Sequence, residues 1–187
     1  NGHMIFAQRD YFNEVEQIPL EYGLDHYDAV RKRLFTHSQV RAVLPKLEFS
    51  GLISNGDKTS VFVGQGVDTD EFKVKGPFLE VQSGSSLSAR PPDNSDPQVM
   101  IGEGLAKAMN ANVGDSLTLL STTVDGTLNA QDVVVHGIFS VGVPELDKRI
   151  LLTRLDTAQT LLLTDKVSTL SVYLYETGDT DQVGTEI

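Results

Sequence analysis

The chain has no cysteine among its 187 residues. Without thiols there is no disulfide framework, no thiolate nucleophile, no zinc–thiolate site and no cysteine-ligated iron–sulfur cluster. Long hydrophobic runs are missing too. No apolar stretch approaches the roughly 18 to 20 residues that cross a bilayer as a helix, and no signal-peptide core is present. Basic residues are scarce, 15 against 26 acidic ones, for a formal charge of −11 and a pI near 4.6. That balance argues against a nucleic-acid surface, which needs clustered Lys and Arg to neutralise phosphates. The longest basic cluster, Arg31-Lys32-Arg33, lies in a helical pattern with an apolar opposite face and reads as solvated helix surface.

What is present is an ordinary globular composition, 40% apolar and 22% charged, on a chain long enough for one domain or two small ones. Residues 1–4, Asn-Gly-His-Met, look like an expression scar. At the other end, Asp179 to Ile187 reads as a helix begun and not finished, which suggests a piece of something longer.

Hydrophobic periodicity predicts a helix from about His26 to Thr36, with Asp25 as N-cap and Tyr27, Val30 and Leu34 on one face. Strands follow at Val40–Leu44, Leu47–Ser54 and Thr59–Val67, and Asn55-Gly56 predicts a hairpin between the last two. A polar, turn-rich stretch follows from Asp68 to Pro77. Phe78–Gln82 is a short strand, and Ser83–Gln98, rich in Ser and Pro, is a loop. Beyond it the pattern gives a strand at Val99–Ile101, a helix at Glu103–Met109 and a strand at Ser116–Leu120. A hairpin with Asp125-Gly126 in its tip then leads to a return strand at Val133–Val141. Leu151-Leu152 is a short strand, Asp156–Leu163 a helix, and Leu170–Tyr175 alternates as a half-buried strand. Hairpins and strands outnumber helices, so the expected class is α+β with mixed or antiparallel sheets.

Several motifs touch on chemistry. Gly102-Glu103-Gly104 stands between a strand and a helix, as a dinucleotide-binding fingerprint would. The third glycine position holds Lys107, however, and the helix is only about two turns long, so the glycines are better read as permitting a tight turn. Asp68, Asp70 and Glu71 do not make a calcium loop, because the required sixth and twelfth positions hold Lys73 and Leu79. His26, His37 and His136 lack metal-ligand spacing. No Gly-x-Ser-x-Gly elbow occurs, and nothing places a nucleophile, base and orienter together, so catalysis is not expected.

The segment Val99–Ala108, VMIGEGLAKA, followed by Val113-Gly114-Asp115-Ser116-Leu117, resembles the periplasmic core domain of MacB-type ABC transporter permeases. The likeness extends to VVVHGIFSVG at Val133–Gly142, to Leu155–Leu162 and to Val61–Asp68, and covers roughly Arg41 to Tyr175. The resemblance implies an extracytoplasmic domain set between two transmembrane helices of an FtsX-like inner-membrane permease. A porter-like α/β subdomain would come from residues 5–82 and 150–187, and an inserted β-rich, Sabre-like one from 83–149. It implies no cofactor and no catalysis in this domain. ATP would be hydrolysed by a separate cytoplasmic ABC ATPase subunit, alongside a second permease subunit.

Within the family the chain is similar to the lipoprotein-releasing branch, with LolC- and LolE-type subunits, where a hairpin in the position of Leu119–Val134 engages a periplasmic lipoprotein carrier. The candidate contact residues are therefore Thr122, Thr123, Val124, Asp125, Gly126, Thr127, Leu128 and Asn129, with the loop Leu87–Asp96 as a second surface. This tip lacks the proline and aromatic character of that family hook. The alternatives are a macrolide- or peptide-efflux permease domain, a free-standing ligand-binding domain, and a soluble enzyme with a small pocket.

Overall fold

The computed structural model describes residues 3–9, 20–21, 23–75, 79–89 and 95–175. The first elements are strand β1 (His3–Phe6) and helix α1 (Tyr27–Phe35). Helix α1 begins one residue later than its pattern suggests. Its N-cap is His26 in a left-handed conformation, φ 49°, and not Asp25. Two of the residues read as an expression scar, His3 and Met4, are part of β1, where backbone pairing asks little of side-chain identity.

The two strands expected at 40–44 and 47–54 are one, β2 (Val40–Ser54), which runs unbroken through Pro45. The proline is accommodated because pairing with β3 (Thr59–Val67) starts only at the next residue, Lys46. The hairpin between them has a four-residue loop, Asn55–Lys58. Asn55 Oδ1 accepts the backbone N–H groups of Asp57 (3.0 Å) and Lys58 (2.7 Å), so the asparagine acts through its side chain while Gly56 takes the positive φ of 94°.

After β3 the polar stretch contains a short helix the composition concealed, α2 (Glu71–Lys75). Asp68 Oδ1 caps its approach by accepting Asp70 N–H, and Glu71 is buried against Lys46. The rest of the chain follows as β4 (Glu80–Gly84), β5 (Gln98–Gly102), α3 (Glu103–Met109), β6 (Ser116–Thr122) and β7 (Leu128–Ser140). The one-turn helix α4 (Pro144–Asp147), β8 (Ile150–Arg154), α5 (Leu155–Leu162) and β9 (Thr169–Leu174) complete it. The expected helix at Asp179–Ile187 and the start of the strand at Phe78 lie outside the described residues.

Strand pairing produces a closed ring. β2 pairs with β3, β3 with β8, β8 with β5, β5 with β7, β7 with β6, and β6 returns to β2 through Leu52↔Leu120, Ile53↔Leu119 and Ser54↔Thr118. Two of these pairs, β3–β8 and β5–β7, are parallel and the rest antiparallel. The fold is thus α+β with a mixed sheet, as expected. The first half of β2 carries β9, and β9 carries β1, so a flap extends from the barrel. On the opposite side, β4 extends the far end of β7.

Alternation decides what enters the barrel. Leu47, Phe49 and Ile53 from β2, Phe62 from β3, Val99 and Ile101 from β5, Leu117 and Leu119 from β6, Val133 and Val135 from β7 and Leu151 from β8 form one buried cluster. The rings of Phe49 and Phe62 meet edge to face with centroids 5.5 Å apart. Helix α5 adds Ala158, Leu161 and Leu162 to the same cluster, and α3 adds Leu105, Ala106 and Met109. Each of the larger side chains, the leucines, isoleucines, valines, phenylalanines and methionine, contributes roughly 1.5–3 kcal/mol when withdrawn from water.

The alternating pattern of Leu170–Tyr175 misleads. Strand β9 is buried at all six of its residues, because both faces of the flap are covered. Leu170 and Val172 face Leu34 of α1 and Val43, while Tyr173 faces Ala42, Leu44 and Val74 of α2.

Ring closure rests on a close backbone approach at Gly51. A Cβ there would lie 2.1 Å from the carbonyl oxygen of Leu120, an impossible contact. Gly51→Ala is expected to lower the unfolding free energy by about 2–4 kcal/mol in urea titration, well beyond the effect of Leu52→Ala on the exposed outer face. Similar losses for the two variants would mean that the β2–β6 seam does not govern closure.

Candidate functional site

The eight hairpin residues singled out from the sequence are split by the structure. Thr122 pairs with Leu128, closing a five-residue loop in which Thr123 N–H donates to Thr127 O (2.7 Å) and Gly126 N–H to Thr123 O (2.9 Å). Thr123 is fully buried, and its hydroxyl meets that of Thr127 at 2.9 Å. Val124 is half-buried against the barrel core, and its N–H donates to Leu162 O at the C-terminal end of α5 (3.2 Å). Asn129 Nδ2 donates to Leu161 O (2.9 Å). The hairpin thereby satisfies two carbonyls that the end of α5 leaves without helical partners. Only Asp125, Gly126, Thr127 and Leu128 present themselves to solvent, and Leu128 is 70% exposed.

The second candidate surface is tied down at its near end. Leu87 is buried with Met100, Phe139 and Leu152, and Ser88 N–H donates to Gln98 Oε1 (3.2 Å). Arg154 Nη1 donates to Ser88 O (3.0 Å) and Ala89 O (2.6 Å). Residues 90–94 of that loop lie outside the described residues; Ser95 and Asp96 beyond them are exposed.

The glycines of Gly102-Glu103-Gly104 serve the chain itself. A Cβ on Gly102 would stand 2.3 Å from Asp147 O, and one on Gly104 would stand 2.9 Å from Lys148 N. The backbone at the end of α4 thus occupies the approach that a pyrophosphate would need. Asp147 fixes this arrangement by accepting Ser140 Oγ–H (2.6 Å) and Val141 N–H (2.9 Å).

The acidic triplet is likewise dispersed: Asp68 pairs with Arg31 (3.3 Å), Asp70 with Lys73 (2.8 Å) and Glu71 with Lys46 (3.6 Å). His136 Nε2 meets Ser85 Oγ at 2.9 Å. Among the described residues no group of three or more His, Asp or Glu side chains is placed to hold a metal ion.

One feature escaped the sequence altogether. A cleft of about 250 Å³ lies between α1 and α5, walled by Tyr27, Arg31, Asp68, Arg154, Asp156 and Gln159. Its residues are spread over more than 120 positions and share no motif, so only tertiary contact assembles them. Arg154 Nε donates to both carboxylate oxygens of Asp156, at 3.0 and 3.2 Å. Burial pushes the Asp156 carboxyl up, but hydrogen bonds from Arg154 and the Arg154 charge, with bonds from Thr157, outweigh it and hold it below the ordinary range. The Arg154 guanidinium is held up chiefly by its hydrogen bond to Asp156. Burial raises the Tyr27 hydroxyl, reinforced by the neighbouring Asp28 carboxylate.

Against this geometry, comparison with known proteins is decisive for the family. Residues 4–187 match the family model of the MacB-like periplasmic core domain. The chain belongs to that family. It is similar to the lipoprotein-releasing system transmembrane protein LolE of Haemophilus influenzae, 28% identical over 109 residues, covering 57% of this chain and 25% of that protein. It is also similar to LolC of Xylella fastidiosa, 25% identical over 146 residues, covering 75% of this chain and 35% of that protein. The chain therefore spans about a quarter to a third of the length of these curated relatives. Two solved structures share the fold. The extracellular domain of the transporter YknZ from Gram-positive bacteria superposes with a TM-score of 0.67 at 15% identity, covering 96% of this chain and 87% of that one. The periplasmic region of MacB from Actinobacillus actinomycetemcomitans gives 0.66 at 18% identity, covering 98% and 80%.

Two measurements test the local chemistry. Asn129→Ala removes one cap of α5 and is expected to cost about 1 kcal/mol in denaturant unfolding, with faster amide exchange in Asp125–Thr127. Asp156 has a lowered pKa in the fold, so its contribution is present above the ordinary carboxylate value of about 4 and is lost as pH falls through the folded value. Asp156→Asn should therefore lower stability at pH 7 and flatten its fall below pH 4. With the side chain 61% exposed the effect stays under about 1 kcal/mol. Equal acid dependence in both proteins would refute the assignment.

Proposed function

We propose that this chain is the extracytoplasmic domain of an inner-membrane ABC transporter permease that works in lipoprotein release. It transmits motion driven by a separate cytoplasmic ATPase subunit and acts beside a second permease subunit. The observation that carries this reading, beyond family membership, is the pairing of β1 with β9, in which His3 stands opposite Tyr173. The chain enters and leaves the described fold on adjacent strands of one edge, as a domain inserted between two membrane helices requires. No described helix is long and apolar enough to cross a membrane, so the spans would come from sequence flanking this domain. Likeness to LolE and LolC supports lipoprotein release over efflux of small molecules.

The contact surface for a periplasmic lipoprotein carrier is the exposed part of the β6–β7 hairpin, Asp125–Leu128, with Thr122, Thr123, Val124 and Asn129 anchoring it to α5. The subdomain division follows the same reading. Residues 83–149 form the inserted β-rich unit, and 5–82 with 150–187 form the porter-like unit. β8 hydrogen-bonds to β3 on one side and β5 on the other, so force entering one unit passes into the other through backbone bonds.

The full-length gene product tests this. Its topology should show membrane helices on both sides of the domain, and a soluble product would overturn the permease reading. Photo-crosslinking from Leu128 in the intact transporter should capture a lipoprotein carrier. Replacing Thr122–Asn129 with a short Gly-Ser turn should abolish that crosslink; carrier binding that is unchanged after the replacement would dismiss the hairpin as the contact.

A further inference from the structure

An apolar row lies on the outer face of the barrel. Val61, Leu52, Leu120 and Ala130 stand directly opposite one another across four neighbouring strands, through the pairs Leu52↔Val61, Leu52↔Leu120 and Leu120↔Ala130. Their alternation with the buried Phe62, Ile53 and Leu119 points them outward. Val61 is 56% exposed and Leu52 41%. The next row along the strands pairs Val63, 51% exposed, with Ser50, and Thr122 with Leu128. Neither row holds a charged side chain, on a chain whose formal charge is −11. Clustered apolar side chains of this kind, unlike scattered ones, mark a binding surface.

Position, size and charge select the occupant. The chain enters and leaves at the Val40 end of β2, where Val40 pairs with Leu174 and Tyr173 with His3. Leu52 lies twelve residues farther along β2, about 40 Å of strand, so a bilayer facing that end does not reach the row. A stable protein interface engages about 20–30 residues a side, far more than these two rows supply. A second copy would also set another charge of −11 against this one. The flanking row on the other side is polar, with Ser54 between Thr59 and Thr118, whose hydroxyl donates to Asp132 (2.7 Å). The apolar row is therefore narrow and uncharged. It crosses three strand spacings, about 14 Å, and so matches most of an extended fatty-acyl chain.

We propose that this row cradles an acyl chain of a lipoprotein in transit, after that chain has left the membrane. The inference rests on the lipoprotein-release reading for the identity of the cargo. Ala130 and Leu128 are two residues apart on one face of β7, so the row runs up to the hairpin tip assigned above to the carrier. A chain lying along it ends beside the surface that receives it. The row covers only one side of such a chain and holds it loosely enough to give it up. A methylene fully withdrawn from water tightens binding about fourfold, and one covered on a single side about twofold.

The test titrates the whole 187-residue chain with one neutral peptide in three forms, unacylated, N-octanoyl and N-dodecanoyl, each below its micelle concentration. Backbone amide shifts in NMR spectra report where the probe sits. The expected result is saturable shifts at Leu52, Val61, Leu120 and Ala130, with none at the exposed Val81 and Val113. The dodecanoyl peptide should bind at least about tenfold more tightly than the octanoyl one, and the unacylated peptide should not bind. The combined Leu52→Ser, Val61→Thr variant should weaken dodecanoyl binding at least about fivefold, whereas Val81→Thr, Val113→Thr should leave it unchanged. Thermal unfolding checks that both variants remain folded, and the chain-length dependence in the unsubstituted chain tests the idea independently of either. Shifts elsewhere, affinity indifferent to chain length, or equal loss in both variants overturns the proposal. So does a monomer–dimer equilibrium in sedimentation that Leu52→Ser, Val61→Thr abolishes, which would give the row to a second copy. Each of these leaves the permease reading intact, because that reading stands on the topology of the full-length product, and leaves the carrier contact to its own crosslink.

Discussion

The seam between β2 and β6 is the constraint on which the rest of the molecule depends. Four of the six pairings in the ring join strands over five or more residue pairs, whereas β6 meets β2, and β5 meets β8, through only three. The two backbones come close enough there that Gly51 cannot carry a side chain, and Ser121, buried beside it, donates its hydroxyl to Ser50 O at 2.7 Å. Closing the sheet removes the open edges of both strands over that stretch and encloses the apolar alternation of six strands in one core. Opening it would expose Ile53 and Leu119, both fully buried, together with the unpaired backbone of the seam.

Closure also sets which parts of the domain are joined through backbone hydrogen bonds. The ring takes strands from both the flanking and the central parts of the chain, and the pairs β3–β8, β5–β8 and β2–β6 bring distant segments together. Helix α5 follows β8 directly, packs into the barrel core, and is capped at its far end by the β6–β7 hairpin. The exposed tip of that hairpin is therefore mounted on the core and not on a free loop. Arg154, at the junction of β8 and α5, ties the loop at Ser88–Ala89 to the same unit. A contact at the tip and the edge where the chain enters and leaves are thus joined by a continuous run of backbone hydrogen bonds and close packing.

Much of this fold was legible along the chain. Asn55-Gly56 marked a hairpin, the stretch Ser116–Leu120 marked β6, and the spacing of Ala158, Leu161 and Leu162 marked the buried face of α5. Each of these signals is local, carried by residues one turn or one strand apart. The failures have local causes as well. α2 was hidden by its polar residues, because Glu71 finds its partner Lys46 on another strand. β9 looked half-buried because Ser171 and Tyr173 are polar, yet α2 and β2 cover their side. At the candidate contact, composition marked a turn at Asp125-Gly126, but nothing along the chain announced that Thr123 is fully buried or that Val124 and Asn129 bind the end of α5.

By itself, then, the sequence determined the class of fold, the hairpins, the absence of thiol chemistry and the resemblance to MacB-type domains, since periodicity, turn residues and motif order are all properties of neighbouring residues. The tertiary structure alone decided that the strands close into a barrel, that the glycines at 102 and 104 admit the backbone of α4 rather than a ligand, and that Tyr27, Arg31 and Arg154 line one cleft. These depend on which strand lies beside which, and that is set by burying the apolar faces of all of them at once, a condition no single stretch of the chain contains.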